Sequence, residues 1–209
     1  MVLFEDRSSE VRMSSLAPVV GLVWIAAITP GPNNLVVLRA ATRSGMRGAL
    51  PAIAGAIAGG LVLLAVVVAG AGRAFAAEPS LRTGIALAGG AYLAWLGGRM
   101  IVNPGASPVD AQDRPSPSSD PSRATAMFTF QFLNPKAWVM ILTVTAATPG
   151  ELLPLAAVFT VVPLVCLSLW AALGAFGVRR LRGTAMARLL DRAFGVALVV
   201  IALALALEA

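Results

Sequence analysis

The chain has 209 residues, of which 58% are apolar and 12% charged, with a net charge of +6. A soluble domain carries about 25% charged residues, so an ordinary globular domain is excluded and the length is better counted in membrane spans. One cysteine and no histidine exclude an intrachain disulfide and the usual zinc or copper ligand sets. The basic balance does not point to nucleic acid, because the arginines sit at helix ends and in short loops, as topology signals do.

Residues 1–15 read as an N-terminal tail with no fold of its own. Glu5, Asp6 and Glu10 outnumber Arg7 and Arg12, which is unlike a signal peptide, and Met13 is an alternative start. Six apolar stretches follow, at 16–38, 49–71, 81–102, 124–148, 152–177 and 189–207. Each is long enough to cross a hydrocarbon core of about 30 Å at about 1.5 Å per residue. The predicted fold class is an all-α integral membrane protein of six transmembrane helices.

The first span is interrupted by Thr29-Pro30-Gly31-Pro32-Asn33-Asn34. Two prolines flanking a glycine remove amide donors and block the helix, so it should break and restart near Asn33. The second span carries Gly55, Gly59 and Gly60, and the third carries Ala86, Gly90, Ala94 and Gly98 at intervals of four. Both read as small-residue ridges for tight helix packing, or as smooth faces that let helices slide.

Between the third and fourth spans lies 103–123, rich in Pro, Ser and Asp, which reads as a flexible linker. It divides the chain into a first repeat, 16–102, and a second, 124–209. The fourth span opens with Gln131 and Asn134-Pro135-Lys136-Ala137, again Pro and Asn together inside an apolar stretch. Three spans per half place the halves in opposite orientation, as two inverted three-helix repeats whose first helices, 1 and 4 of the chain, are both broken at proline. In the fifth span Pro154 is a first-turn proline, Pro163 should kink the helix or free a carbonyl, and Cys166 is a small buried residue.

Loops 1–2, 3–4 and 5–6 hold eleven arginines against four in the tail and the other loops. The positive-inside rule puts the arginine-rich loops in the cytoplasm and both termini outside.

In lipid, irregular backbone survives only where it faces protein or a water-filled cavity. A broken helix exposes amide groups and a positive dipole end that suit a carboxylate, and carbonyls that suit an ammonium. Two such breaks beside one cavity would fit a zwitterion, with Thr29, Asn33, Asn34, Gln131 and Asn134 as neutral donors and acceptors. Lys136, the only lysine, lies in an apolar span. It either binds a substrate carboxylate, takes part in a proton step, or snorkels to an interface. No Asp or Glu lies well inside a span, since Glu78, Glu151, Asp191 and Glu208 fall near the ends.

At these residues the chain resembles the LysE/RhtB family of amino-acid exporters. The likeness rests on Thr29-Pro30-Gly31-Pro32-Asn33, on Gly45, Gly48, Gly55, Gly59 and Gly60, and on Asn134-Pro135-Lys136-Ala137. It implies a multi-pass protein of the bacterial cytoplasmic (inner) membrane that exports amino acids or close derivatives from the cytoplasm, driven by the proton gradient. It implies no enzyme activity, catalytic residue, metal or cofactor; the expected partners are a small amino-acid substrate and the lipid bilayer, with no nucleic acid. A homo-oligomer is compatible with the sequence. The motifs carry over to Pro30, Gly31, Pro32, Asn33, Asn134, Pro135 and Lys136 as substrate-binding positions. The N-terminal extension and the acidic linker depart from the family pattern without touching them.

Rival classes fare worse. An intramembrane serine protease wants a Ser–His pair, and a thiol–disulfide carrier wants two cysteines. A metal or small-ion exporter on a related scaffold is the stronger alternative, but hard cations want several carboxylates.

Overall fold

The computed structural model describes residues 17–104, 121–178 and 184–208. Among these residues every regular element is helical: α1 (Ala17–Ile28), α2 (Pro32–Val66), α3 (Gly72–Ala77), α4 (Pro79–Val102), α5 (Pro121–Leu133), α6 (Pro135–Ala147), α7 (Leu152–Ala172) and α8 (Ala185–Glu208). Single π-helical turns, Val67–Ala71 and Leu173–Gly177, extend α2 and α7. The tail 1–15 and residues 105–120 of the expected linker lie outside the described residues.

Among the described residues, four stretches are long and apolar enough to cross a membrane: Pro32–Ala77, Pro79–Val102, Leu152–Gly177 and Arg188–Leu207. α1 and α6 are apolar but shorter. This differs from six separate expected spans, and the reasons are local. Residues 29–31 and Asn134 are not helical, so the expected stretches 16–38 and 124–148 are each divided. Pro32, Pro79 and Pro135 open their helices, where an N–H is not needed. The expected loop at 39–48 is instead helical, and α2 runs through it with one bend at Gly45 (φ 73°, ψ −176°). Only glycine takes that backbone at little steric cost, so one residue redirects the chain while helical hydrogen bonding resumes on both sides. Arg123 Nη1 braces the bend, donating to Ser44 Oγ (3.4 Å) and to the Gly48 carbonyl (3.2 Å). Arg39 and Arg43 therefore belong to a helix rather than a loop.

α2 is the central element, packed against α5 and α7, while α4 packs against α8. The glycines set how close these pairs come. A Cβ on Gly55 would strike the Ala124 carbonyl, and one on Gly59 the Phe128 carbonyl. The contact thus advances by one turn on both α2 and α5 at once, as small-residue ridges allow. On α4 the ridge is shifted from the expected one. Gly90 does approach α8, but the tightest positions are Gly89, against the Leu133 carbonyl, and Gly97, against Gly195 of α8, whereas Gly98 has open space. At about 100° per residue, Gly97, seven residues after Gly90, lies within about 20° of it and shares its α8-facing stripe, whereas Gly98, eight residues after, is turned about 80° away; Gly89 faces α5 instead. Gly174 makes a matching approach to the Leu38 carbonyl.

Trp138, Ile141, Phe159 and the fully buried Cys166 belong to one of three apolar cores. Ile25, Val102, Leu153, Phe176 and Leu207 are exposed on the outside, as lipid-facing side chains are.

Replacing Gly55 or Gly97 by Val should destabilise the helix pairs by about 1–3 kcal/mol each, the usual range for overpacking, while Gly98→Ala should leave stability unchanged. Thermal melting of the detergent-solubilised protein checks this; equal melting of all three would refute the packing assignment.

Candidate functional site

The two interruptions leave backbone groups that must be satisfied. Pro32 has no amide to offer the Ile28 carbonyl four residues back. That carbonyl accepts instead from Trp170 Nε1 of α7 (3.2 Å). Asn34 Nδ2 donates to the carbonyls of Ala27 (3.0 Å) and Thr29 (2.8 Å), which closes the end of α1. Thr29 Oγ1 donates to Ile25 O. α2 then starts cleanly, with Leu35 N donating to Gly31 O at 3.0 Å.

The second interruption is solved the same way. Asn134 caps α6, its Oδ1 accepting from Lys136 N (3.2 Å). That diverts the amide that would have met Phe132 O, and Trp138 Nε1 fills the gap (2.9 Å). The carbonyls expected to stand free for an ammonium are therefore bonded to side chains at Ala27, Ile28, Thr29 and Phe132. The reason is energetic: an unsatisfied buried carbonyl costs about 1–3 kcal/mol.

Across the gap the two interruptions join. Asn33 Nδ2 donates to Gln131 Oε1 (3.2 Å), and Gln131 Nε2 donates back to Asn33 Oδ1 (3.3 Å) and to Met127 O (3.2 Å). Gln131, Asn34 and Asn134 are 3%, 4% and 6% exposed. At that depth amides persist only when hydrogen-bonded, and each of them is.

A cavity of about 80 Å³ opens beside this pair, room for several waters. Of the residues singled out in the sequence, Thr29, Gly31, Pro32, Asn33, Asn34, Gln131, Asn134 and Lys136 line it, and Pro30 and Pro135 do not. The first turns of α2 and α6 both border it, so two positive dipole ends share one space. Lys136 is exposed at its edge, and a methyl placed on Gly31 would lie 3.6 Å from its Nζ. Lys136 is the one charged side chain among the described lining residues. Together these favour a carboxylate in the cavity.

Sequence reasoning missed the opposite wall. Phe159, Pro163 and Leu167 of α7 line the cavity, with Ala56 and Gly60 of α2. Pro163 sits inside an unbroken α7, and it withholds the amide that the Phe159 carbonyl would take. Gly60 has nothing within 4 Å of a built Cβ, because its free side is the cavity. Its place in a glycine-rich run was the available signal, but that run also serves packing. For Trp170, 142 residues from Ile28, there was none.

The chain is 31% identical over 147 residues to a leucine efflux protein of Klebsiella pneumoniae subsp. pneumoniae, which covers 66% of this chain and 68% of that one. It is 35% identical over 115 residues to a cysteine/O-acetylserine efflux protein of Salmonella choleraesuis, covering 54% of each. A protein of the same description from Escherichia coli O9:H4 is 31% identical over 113 residues, again 54% of each. The chain thus spans about half the length of these cysteine/O-acetylserine relatives. No solved structure matches it. The LysE type translocator family matches residues 24–209, the whole of the helical chain from within α1 onward, interruptions and cavity included. The chain belongs to the LysE type translocator family, whose members are membrane transporters and not enzymes.

Proposed function

We propose that this protein exports neutral amino acids or close derivatives from the bacterial cytoplasm, binding them in the cavity between the two helix interruptions. The observation that carries this reading is the meeting of Lys136 and the first turns of α2 and α6 at one cavity. These positive groups suit a carboxylate, and Ala56, Ile141, Phe159 and Leu167 offer an apolar wall for a side chain. The printed descriptions of the relatives, leucine and cysteine/O-acetylserine efflux, support the same substrate class. Thr29, Asn33, Asn34, Gln131 and Asn134 hold the lining in shape through the bonds described above, and Pro30, Gly31, Pro32 and Pro135 keep the helices open there.

The same proposal takes the chain as six spans in two inverted three-helix repeats, 16–102 and 124–209, with helices 1 and 4 broken at proline, the linker 103–123 between them and both termini outside. Several correspondences support it. An interrupted helix opens each half, a π-helical turn follows α2 and α7 alike, and α4 and α8 pack through Gly97 and Gly195, each of which would meet the other's carbonyl (2.5 and 2.6 Å from a built Cβ). Export in exchange for protons belongs to the proposal, with Lys136 as the titratable group at the cavity. A metal or small-ion exporter on a related scaffold has no observation in its favour: the described residues hold no group of three potential metal ligands.

Expression in a sensitive bacterial host should raise extracellular leucine, cysteine or O-acetylserine and confer resistance to a toxic analogue. Unchanged export across a broad panel, with the protein present in the membrane, would refute the reading. Asn33→Ala leaves the buried Gln131 Oε1 without the Asn33 donor and keeps only the bond to the Met127 carbonyl, a loss of about 1–3 kcal/mol, and should lower export about tenfold or more. Lys136→Ala and Pro135→Ala should also lower it without loss of insertion, and normal transport by all three variants would remove the site assignment. Gly60→Val should fold normally, since a Cβ there meets nothing, yet fill the cavity and block export; a variant that exports at the normal rate would show that substrate passes elsewhere.

A further inference from the structure

A second cavity, of about 40 Å³, lies between α2, α4, α5 and α8. Its lining includes three arginines, Arg39, Arg43 and Arg123, with Tyr92, and no Asp or Glu among the described lining residues. The rest is apolar, including Leu35, Leu96, Met127 and Leu198. Arg39 is the deepest of the three: its side chain is 7% exposed and its Nη2 lies 3.6 Å from Asp191 Oδ2 of α8. Arg123 is tied to Ser44 and Gly48 at the bend of α2.

The position of this cavity relative to the first is specific. The two share three helical segments, the start and the middle of α2 and α5, and are displaced along them by about one turn. Asn33 and Asn34 line the first cavity and Leu35, Val36 and Arg39 the second; Ala56 lines the first and Ala52 the second; Gln131 lines the first and Met127 the second. Four residues along a helix is about 6 Å. The Asn33–Gln131 amide pair lines the first cavity, and its Gln131 Nε2 also holds the carbonyl of Met127, a residue that lines the second. The second cavity lies toward the arginine-rich end of the helices, the side that the arginine bias assigns to the cytoplasm.

We propose that the arginine-lined cavity is the cytoplasmic vestibule of the export path, where Arg39 and Arg43 take the carboxylate of an apolar amino acid before it passes the Asn33–Gln131 pair into the first cavity. The inference rests on the export reading above and adds a second binding site to it. Guanidinium groups match a carboxylate in charge and in planar, two-pronged geometry. At Arg39 the incoming carboxylate replaces that of Asp191, so one anion is exchanged for another and the buried cation is never left alone. The leucine-like and methionine side chains of the wall receive the substrate's apolar part. The Asn33–Gln131 pair acts as the partition: two neutral amides can part and rejoin without moving a charge.

The test uses the full-length protein in proteoliposomes, with initial rates of labelled leucine uptake measured over a range of concentrations. Wild-type uptake that saturates establishes the export reading in this system. Arg43→Gln and Arg39→Gln should then raise KM about tenfold or more, the scale of one lost charge-assisted contact, with the maximal rate largely kept, and Arg43→Lys, which retains the charge, should restore most of it. 4-Methylpentanoate, which has leucine's carboxylate and chain without its ammonium, should inhibit the wild type and inhibit Arg43→Gln far less. No uptake by inserted wild-type protein refutes export and takes the vestibule with it. Saturable wild-type uptake with an unchanged KM in both variants overturns the vestibule alone. A KM effect present in phosphatidylglycerol vesicles and absent in phosphatidylcholine assigns the arginines to lipid headgroups and overturns it as well.

Discussion

A carbonyl at membrane depth needs a donor, and away from a water-filled cavity the protein itself must supply one. Nearly everything distinctive in this molecule follows from that constraint acting at two places. At residues 29–31 and at Asn134 the helical ladder stops, and the stranded groups find side-chain partners instead. Trp170 and Asn34 close the end of α1, and Trp138 and Asn134 close the junction of α5 and α6. Because Trp170 belongs to α7, this repair also binds a distant helix to the interruption. The cavity exists because the repair is lateral: side chains reach in from the flanks and leave a space between the two helix starts.

The close helix contacts serve the same end. Gly55 and Gly59 bring α5 against α2 at backbone distance, which places Gln131 opposite Asn33. Bulkier residues there would hold the helices apart and stretch a pair of hydrogen bonds that are already 3.2 and 3.3 Å long. Gly60, one residue on from Gly59, does the opposite and keeps a space open. Adjacent glycines thus carry separate roles because successive helix positions face about 100° apart. Gly97 and Gly195 tie α4 to α8, and Arg39 with Asp191 ties α2 to α8, so α8 is held by contacts to both of its neighbours.

Some of this was legible residue by residue. Pro30 and Pro32 announce an interruption because a proline acts on its own helix, through a missing donor and a ring that blocks the carbonyl four residues back. The Gly55 and Gly59 spacing was readable for the same kind of reason. Gly45 was present as part of a family resemblance, but its effect was not: a positive φ at one glycine let α2 continue where a loop was expected. Four of the carbonyls expected to stand free, those of Ala27, Ile28, Thr29 and Phe132, are occupied, because local reasoning sees the donor that proline removes and not the tryptophan or asparagine that replaces it.

By itself, the sequence determined that this is a helical membrane chain, since hydropathy acts within a few residues. The tertiary structure alone decided which groups meet. Asn33 pairs with Gln131 98 residues away, Trp170 reaches Ile28 across 142, and Arg39 meets Asp191 on the last helix. Each of these depends on how whole helices rotate and slide against one another, and that is set by the summed packing of their faces rather than by any single residue's preference.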